Sequence, residues 1–321
     1  MTQSATAATG GVFADERELA DCTAIIVTYN SAADVGGLLD SLPAAADGLR
    51  VRVLVVDNDS ADDIAAVVAR YPGVHLVPSG GNLGYSGGIN VGRRHLGPTR
   101  AVLILNPDLR AAPGSIRRLC AALTEPGVGA VVPRMLGEDG HTSPSLRREP
   151  SLLRSAADGL LGAKWRNRPA ALSEMVWRTD AYDVPANVDW ATGAALLIAI
   201  EADQRVGAWD EERFFLYSEE TDYCRRLREA GYVVRYLPDA VVTHKGAGSG
   251  TGPALVALTA VNKVRYYRKY HGRVASAAFR LVVIGTQLLR ANRPGQRRAL
   301  QALLSERRWA ELPGPSRAGN R

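Results

Sequence analysis

Between Thr23 and Arg134 the chain alternates short apolar, β-branched runs with amphipathic stretches, and this rhythm narrows the possible folds more than any other feature. The runs are TAIIVT, RVLVVD, VHLVP, AVLILN and GAVVP; between them lie VGGLLDSL, DDIAAVVARY, SGGINVGRRHL and GSIRRLCAAL. A strand that reads as an unbroken apolar run is buried on both faces. Strand–helix alternation then implies an α/β fold with a mostly parallel central sheet, flanking helices and right-handed crossovers. Functional groups in such a sheet gather at the carboxyl ends of its strands.

The period breaks after that. Residues 137–189 are polar and rich in Pro and Arg, as in a long excursion carrying one helix, SLLRSAADGLLG. Strand character returns with GAALLIAI, followed by a short helix, the helix SEETDYCRRLREAG, and two strands, YVVRYLP and AVVTH. Gly231 ends that second helix as a C′ glycine. From Pro253 onward the pattern is helical. The expected organisation is a disordered leader over 1–21, one α/β domain over 22–250 divided near residue 135, and a C-terminal helical region over 251–321.

The 321 residues are 46% apolar and 22% charged, as in a soluble globular protein. The net charge of +6 is unevenly spread, because 263–321 holds KVRYYRKYHGR, RPGQRR and SERRW. Such a tail meets anionic lipid, phosphorylated acceptors or nucleic acid, or solvates a surface. No nucleic-acid-binding motif accompanies it, so nucleic acid is not an expected partner. Cys22, Cys120 and Cys224 are odd in number and far apart, which excludes a disulfide framework or zinc site and points to a reducing compartment. The first residues lack the basic and apolar regions of a secretory signal. No run approaches the ~18 apolar residues of a membrane span; the nearest, VASAAFRLVVIGTQLL, is interrupted by Arg280. The expected location is cytoplasmic, with or without peripheral contact with the inner face of the plasma membrane.

Six segments carry candidate chemistry. VTYN and VVDNDSAD end the first two strands, so Thr28, Tyr29, Asn30 and Asp57 would line one crevice, where an Asp accepts from a ribose hydroxyl or base N–H. Read singly, these segments are helix caps and turns first. SGGNLGYSGGINVG matches neither dinucleotide nor P-loop patterns; its glycines suit backbone approach to a phosphate or a flexible loop equally. LILNPDL ends a buried strand abruptly in Asn106-Pro107-Asp108, placing the Asp where a carboxylate and a diphosphate could share Mg2+ or Mn2+. His244, ending another strand, would suit Mn2+ better. In FFLYSEETDYCRRL, Ser218 is the expected N-cap and Asp222 an expected partner of Arg225 or Arg226. The aromatic lead buries the helix start, where a carboxylate's pKa rises and it becomes a better base.

IIVTYNSA, VVDNDSAD, NLGYSGGIN, LNPD, WATGAALLI, FFLYSEETDYCRRLREAGY and VTHKGAGS together resemble, in that order, the family 2 inverting glycosyltransferases, over about residues 22–250. The chain looks most like the bacterial rhamnosyltransferase branch, including enzymes that build lipid-linked cell-wall precursors. The resemblance implies the GT-A nucleotide-diphospho-sugar transferase fold, with a donor half over about 22–135 and an acceptor half over about 136–250. It implies that Thr28, Tyr29, Asn30 and Asp57 hold base and ribose, that Asn82 and Asn106 line the nucleotide pocket, and that Asp108 and His244 hold a divalent metal, Mg2+ or Mn2+. Trp190, Thr192 and Gly193, with Glu219, fall on the acceptor side. Glu220 falls at the general base, with Asp222 in reserve. Two departures stand out: Asn106 where the metal motif is named for Asp, and Glu220 where the base is usually Asp.

The implied reaction is a single displacement with inversion, in which an acceptor hydroxyl attacks a nucleotide-diphosphate sugar. The donor expected from the resemblance is dTDP-rhamnose, and the acceptor is a glycan or a polyprenyl-diphosphate-linked glycan. Tyr266, Tyr267 and Arg280 suit a C-terminal helix at a membrane interface; packing on the domain, or a homodimer, is the competing expectation. A sugar-nucleotide pyrophosphorylase would need an N-terminal Gly/Arg signature that is missing. A protein of this kind that binds nucleotide sugar without catalysis is the remaining alternative.

Overall fold

The computed structural model describes residues 13–15, 17–162, 164–246 and 252–317. Its strands are β1 (Cys22–Thr28), β2 (Val51–Asp57), β3 (Val74–Pro78), β4 (Gly81–Asn82), β5 (Ala101–Leu105), β6 (Leu109–Ala111) and β7 (Val128–Leu136), then β8 (Leu146–Arg147), β9 (Ala186–Val188), β10 (Trp190–Ala191), β11 (Ala195–Ala199), β12 (Val233–His244) and β13 (Ser316–Arg317). The helices are α1 (Ala32–Ala46), α2 (Ile64–Val68), α3 (Gly84–Arg93), α4 (Ser115–Ala122), α5 (Leu152–Leu161), α6 (Ile200–Val206), α7 (Glu219–Glu229), α8 (Pro253–Tyr270), α9 (Arg273–Leu288) and α10 (Pro294–Leu304).

Nine strands form the central sheet in the order β3-β2-β1-β5-β11-β7-β12-β6, with β9 also on β12. The first four run parallel, as the unbroken apolar runs require. β11 then enters antiparallel between β5 and β7, so the last strand of the opening βα series is displaced from its neighbour by a later piece of chain. Side chains of β1 alternate between two cores. Cys22, Ala24 and Ile26 face α1 and α4, while Ile25 and Val27 face the layer containing α3 and α7. YVVRYLP and AVVTH, expected as two strands, are one strand, β12, paired to β7 with a register shift between Leu237 and Val241. Pro238 lies in that interval; it has no N–H for the ladder, so a bulge takes up the mismatch.

The glycine-rich stretch folds into α3 rather than a loop. Its glycines serve packing: a Cβ at Gly88 would lie 2.5 Å from Val27 Cγ1, and one at Gly92 would lie 2.6 Å from Ile25 Cγ2. The helix therefore sits directly on β1.

Part of the expected disordered leader is ordered. Ala14 N–H donates to the Val51 carbonyl at 2.9 Å, and Ala20 bridges to Thr99. Arg52, 1% exposed, donates to the carbonyls of Asp15, Glu18, Leu96 and Pro98 at 2.6–3.0 Å. A guanidinium inside a strand must find acceptors, and the leader supplies two of them. Residues 1–12 and 16 of that leader lie outside the described residues.

The C-terminal helices build a third core from α8, α9 and α10, and it continues into Leu152 and the segment Phe215, Leu216 and Tyr217. Beyond them β13 pairs antiparallel with β4. No helix among the described residues is long and apolar enough to cross a membrane.

Arg52→Ala would take the guanidinium from four carbonyls; Leu96 O keeps the Thr23 hydroxyl, Pro98 O keeps Ala20 N–H and Asp15 O keeps Glu18 N–H, so the Glu18 carbonyl bears the largest loss. An unsatisfied buried acceptor costs roughly 1–3 kcal/mol before relaxation. The expected loss is of that order, read from the shift of a urea or thermal unfolding midpoint.

Candidate active site

The carboxyl ends of β1 and β2 are in register, Thr28 opposite Asp57. Thr28 is fully buried and its hydroxyl donates to the Val56 carbonyl at 3.2 Å. Asn30 adopts φ 54°; its N–H donates to Ser60 Oγ and its side-chain oxygen accepts from Ala61 N–H. Asn30 thus ties the two strand ends together. Tyr29 is half exposed beside them, 51%, with its ring on the surface. Ser31 makes no side-chain cap at α1; Asp62 caps it instead, accepting from Ala32 N–H at 2.7 Å. Asn82 accepts from Gly84 N–H at the start of α3.

The NPD segment follows β5. Asn106 N–H donates to the Ala194 carbonyl, which fixes the segment against β11. Asp108 is 7% exposed, and one of its oxygens lies 3.1 Å from His244 Nε2 at the end of β12. Burial raises the Asp108 carboxyl, but the hydrogen bond and charge of His244 and nearby backbone N–H groups outweigh it, leaving its pKa below the usual range. Among the described residues no cluster of three or more His, Cys, Asp or Glu forms. Asp108 and His244 are therefore a two-donor set, one hard oxygen and one imidazole nitrogen on neighbouring strands. That set fits a divalent ion completed by oxygens of a diphosphate and water.

The start of α7 is unusual. Tyr217 and Ser218 have φ 70° and 71°, and Ser218, the expected N-cap, makes no side-chain cap. The carbonyls ahead of it are held from both sides. Tyr85 N–H donates to Phe215 O and Ser86 Oγ to Phe214 O, both from α3. From α8, Asn262 Nδ2 donates to Leu216 O and Tyr217 O at 2.9 and 3.1 Å.

The three acids of this helix have different fates. Asp222 is fully buried and bonded to Arg226 at 2.8 Å, Lys269 at 2.6 Å and the Tyr270 hydroxyl at 2.6 Å. The reserve role as base does not suit it, because its oxygens already accept from three donors and face α8. Glu219 is 4% exposed and Glu220 half-buried; each keeps one buried oxygen without a hydrogen-bond partner. Burial, then the charge and hydrogen bond of Glu220, push Glu219 well above the usual range. Burial also raises Glu220, but backbone N–H groups including Gly193, the charge of Arg147 and a hydrogen bond from Glu219 restrain it. Of the two carboxyls, Glu219 is therefore pushed up the further, and Glu220 is the one with groups about it that favour its charged form.

Gly193 and Trp190 close this side. A Cβ at Gly193 would lie 3.4 Å from that of Glu220, and the Gly193 carbonyl accepts from the Tyr85 hydroxyl at 2.9 Å. Trp190 is buried with its N–H on Arg148 O, and Arg147 lies 5.8 Å from its ring. Thr192 N–H donates to Ser145 O, while its hydroxyl is buried without a partner.

The glycosyl transferase family 2 model matches residues 23–179. An N-acetylglucosaminyl-diphospho-decaprenol L-rhamnosyltransferase of Mycobacterium tuberculosis is 36% identical over 243 residues, covering 72% of this chain and 78% of that protein. The chain belongs to glycosyltransferase family 2. As a family 2 enzyme it is an inverting transferase of nucleotide-activated sugars. A low-salt glycan biosynthesis hexosyltransferase, Agl10 of Haloferax volcanii, is 30% identical over 216 residues, 65% of this chain and 62% of that protein. The mannosyltransferase PcManGT of Pyrobaculum calidifontis, solved with GDP-Man and Mn2+, shares the GT-A fold. It superposes with a TM-score of 0.54 at 18% identity, covering 93% of this chain and 85% of that one.

Three residues that the sequence did not single out touch the candidate site: Tyr85 bonds to Gly193 O, Arg147 lies near Glu220, and Asn262 holds the segment before α7. Tyr85 stood inside NLGYSGGIN, where the glycines drew attention instead. Arg147 lay in a weakly periodic excursion. Asn262 is a lone amide in the otherwise apolar stretch LVALTAVN, fully buried, and that contrast was a usable signal.

Asn262→Ala removes both donors from the strained segment. Displacing a positioned group by about 1 Å can cost on the order of 100-fold in rate. The expected result is a fall in kcat of roughly 10–100-fold with donor binding unchanged, measured by steady-state transfer and by calorimetric titration of the nucleotide.

Proposed function

We propose that this family 2 enzyme transfers L-rhamnose from dTDP-rhamnose to a hydroxyl of a polyprenyl-diphosphate-linked glycan, with Glu220 as general base. One observation carries the assignment of the centre. The Tyr85 hydroxyl of α3 donates at 2.9 Å to the carbonyl of Gly193, which packs on Glu220, so a side chain of the donor half reaches the acids of the acceptor half; burial and then the charges of Glu219, Glu220 and Asp108 raise its pKa. The sugar and the lipid-linked acceptor rest on the decaprenol-linked rhamnosyltransferase that is 36% identical.

In the displacement, the acceptor oxygen forms a bond to the anomeric carbon as the bond from that carbon to the diphosphate oxygen breaks. The acceptor proton goes to Glu220, and the nucleoside diphosphate leaves with the bonding pair. General-base help of this kind is worth roughly 10²–10⁴-fold. Glu219, protonated, donates to Glu220 and keeps the base in its ionised form. Thr28, Asn30 and Asp57 form the edge that receives base and ribose, with Tyr29 exposed to stack; Asn82 and Asn106 border it. Trp190, Thr192 and Gly193 position the acceptor. Asp108 and His244 would hold the divalent ion, which when bound offsets charge on the diphosphate.

The base acts only when deprotonated, so rate rises with pH through its pKa. Because that pKa is raised, the acid limb of kcat/KM is expected above the ordinary glutamate range of about 4.3. Glu219→Gln keeps a donor and should leave the limb nearly in place, whereas Glu219→Ala should move it upward. Glu220→Gln should abolish transfer while dTDP still binds; near wild-type turnover would place the base elsewhere. For the ion, chelation should stop transfer, and restoration by Mn2+ at lower concentration than Mg2+ is expected from the imidazole donor. Transfer undiminished in chelator would take Asp108 and His244 out of the site.

A further inference from the structure

The residues that marked the C-terminal region as a membrane-facing segment are not on its surface. Tyr266 and Tyr267 are 1% and 5% exposed. Arg280 donates to the Leu303 carbonyl and pairs with Glu306. If these helices meet a bilayer, they do so through other side chains.

Helix α9 supplies them. Only Ser276, Phe279 and Val283 of its residues are buried. Val274, Leu281 and Leu288 are 86%, 68% and 55% exposed, and Leu289 is 64% exposed. The first three are spaced by seven residues, which puts them in one line along the helix. Helix α5 packs beside α9 so closely that a Cβ on Gly159 would lie 1.9 Å from Thr286 Cγ2. It adds Leu153 and Leu160, again seven apart, 56% and 69% exposed. Exposed apolar side chains are unremarkable singly, but three in line on α9, with Leu289 near them and two more on the adjoining α5, leave an apolar line open along α9.

Charge chooses the partner. Residues 273–305 contain six arginines and no Asp or Glu. Arg273, Arg293, Arg297 and Arg298 are exposed. A second copy of this chain would bring arginine against arginine, whereas anionic headgroups complement them. An apolar line bordered by arginines, on a helix unable to span, is the pattern of an element that lies in the headgroup boundary. We infer that α9, with α5 beside it, is the face by which the protein lies on an anionic lipid surface. The inference deepens the lipid-linked acceptor reading and rests on it for its purpose, because α5 begins three residues after Glu149, which binds Arg225 and Arg228 of α7. A protein seated on α9 would thereby present its base helix to an acceptor whose lipid stays in the bilayer.

The test is flotation of the full chain with phosphatidylcholine vesicles, with and without about 30% phosphatidylglycerol. Wild type is expected to float with the anionic vesicles, to be released by high salt, and to float poorly with neutral ones. Leu281→Asp combined with Leu288→Asp is expected to reduce vesicle binding at least about tenfold. Its circular dichroism, and its hydrolysis of dTDP-rhamnose in water, should stay unchanged. Absence of wild-type flotation, or equal flotation of the double variant, would overturn the inference. So would a wild-type dimer in light scattering that the double variant converts to a monomer, which would make the face a subunit interface. The vesicles contain no polyprenyl acceptor, so an error in the assigned acceptor or sugar would leave the flotation result standing.

Discussion

Two consecutive non-glycine residues in the left-handed region, Tyr217 and Ser218, fix where the catalytic helix begins, and the rest of the site is built around holding them. Each such residue costs roughly 1–3 kcal/mol and persists only where its surroundings over-determine it. Here the surroundings are α3, donating to Phe214 and Phe215, and Asn262 of α8, donating to Leu216 and Tyr217. Of the four carbonyls at 214–217, the first two are thus gripped by the donor half and the next two by the C-terminal helices. With the helix start so placed, Glu220 lies against Gly193 and Glu219 is buried beside it, and Ser218 makes no side-chain cap.

That placement lets one short acidic run perform unlike tasks. Asp222 faces α8, where Lys269 and Arg226 balance it and Tyr270 completes its hydrogen bonds, so it is structural. Glu219 and Glu220 face inward, where desolvation disfavours charge on both and two adjacent charges disfavour each other. Glu219 is raised the further, because Glu220 has Gly193 N–H and Arg147 nearby to favour its charge. Asp108 meets the opposite balance: burial raises its carboxyl, but His244 and nearby backbone N–H groups bring it below the usual range. The acids of the two halves are thus shifted in opposite directions by their surroundings.

The periodic part of the chain was readable because apolar burial dictates it. The parallel strands, α1, α4, α5 and α7 follow the expected segments, and so does the end of α7 near Gly231. The antiparallel seat of β11 was not readable, since no local pattern says which neighbours a returning strand will find. Partners distant in sequence were hidden for the same reason. Asp222 was expected to pair with Arg225 or Arg226 and does pair with Arg226, but Lys269 and Tyr270 could not be foreseen. The glycines of SGGNLGYSGGINVG suited phosphate approach and a flexible loop equally, although SGGINVGRRHL also read as helical, because glycine frees the backbone and also permits close packing. Only the position of β1 beneath Gly88 and Gly92 decides between the two. Tyr266, Tyr267 and Arg280 have the composition of an interface yet belong to an interior, where Tyr266 reaches Glu149 and Arg280 reaches α10 and Glu306.

These buried contacts also mean that the C-terminal region is not a detachable anchor. Taking away α8 would strip Leu216 and Tyr217 of the Asn262 amide and leave Asp222 with Arg226 alone. Glu149 would lose the Tyr266 hydroxyl while still holding Arg225 and Arg228. The strained start of α7 would then lose its grip from α8, and Glu219 and Glu220 would lose their placement with it. The helices that carry the exposed line of α9 therefore also support the candidate site from behind. Deletion of the region would disturb both at once for unrelated reasons. Surface changes on α9, which touch neither Asn262 nor Lys269, separate the two, because the apolar face and the grip on the base lie on different helices of one packed unit.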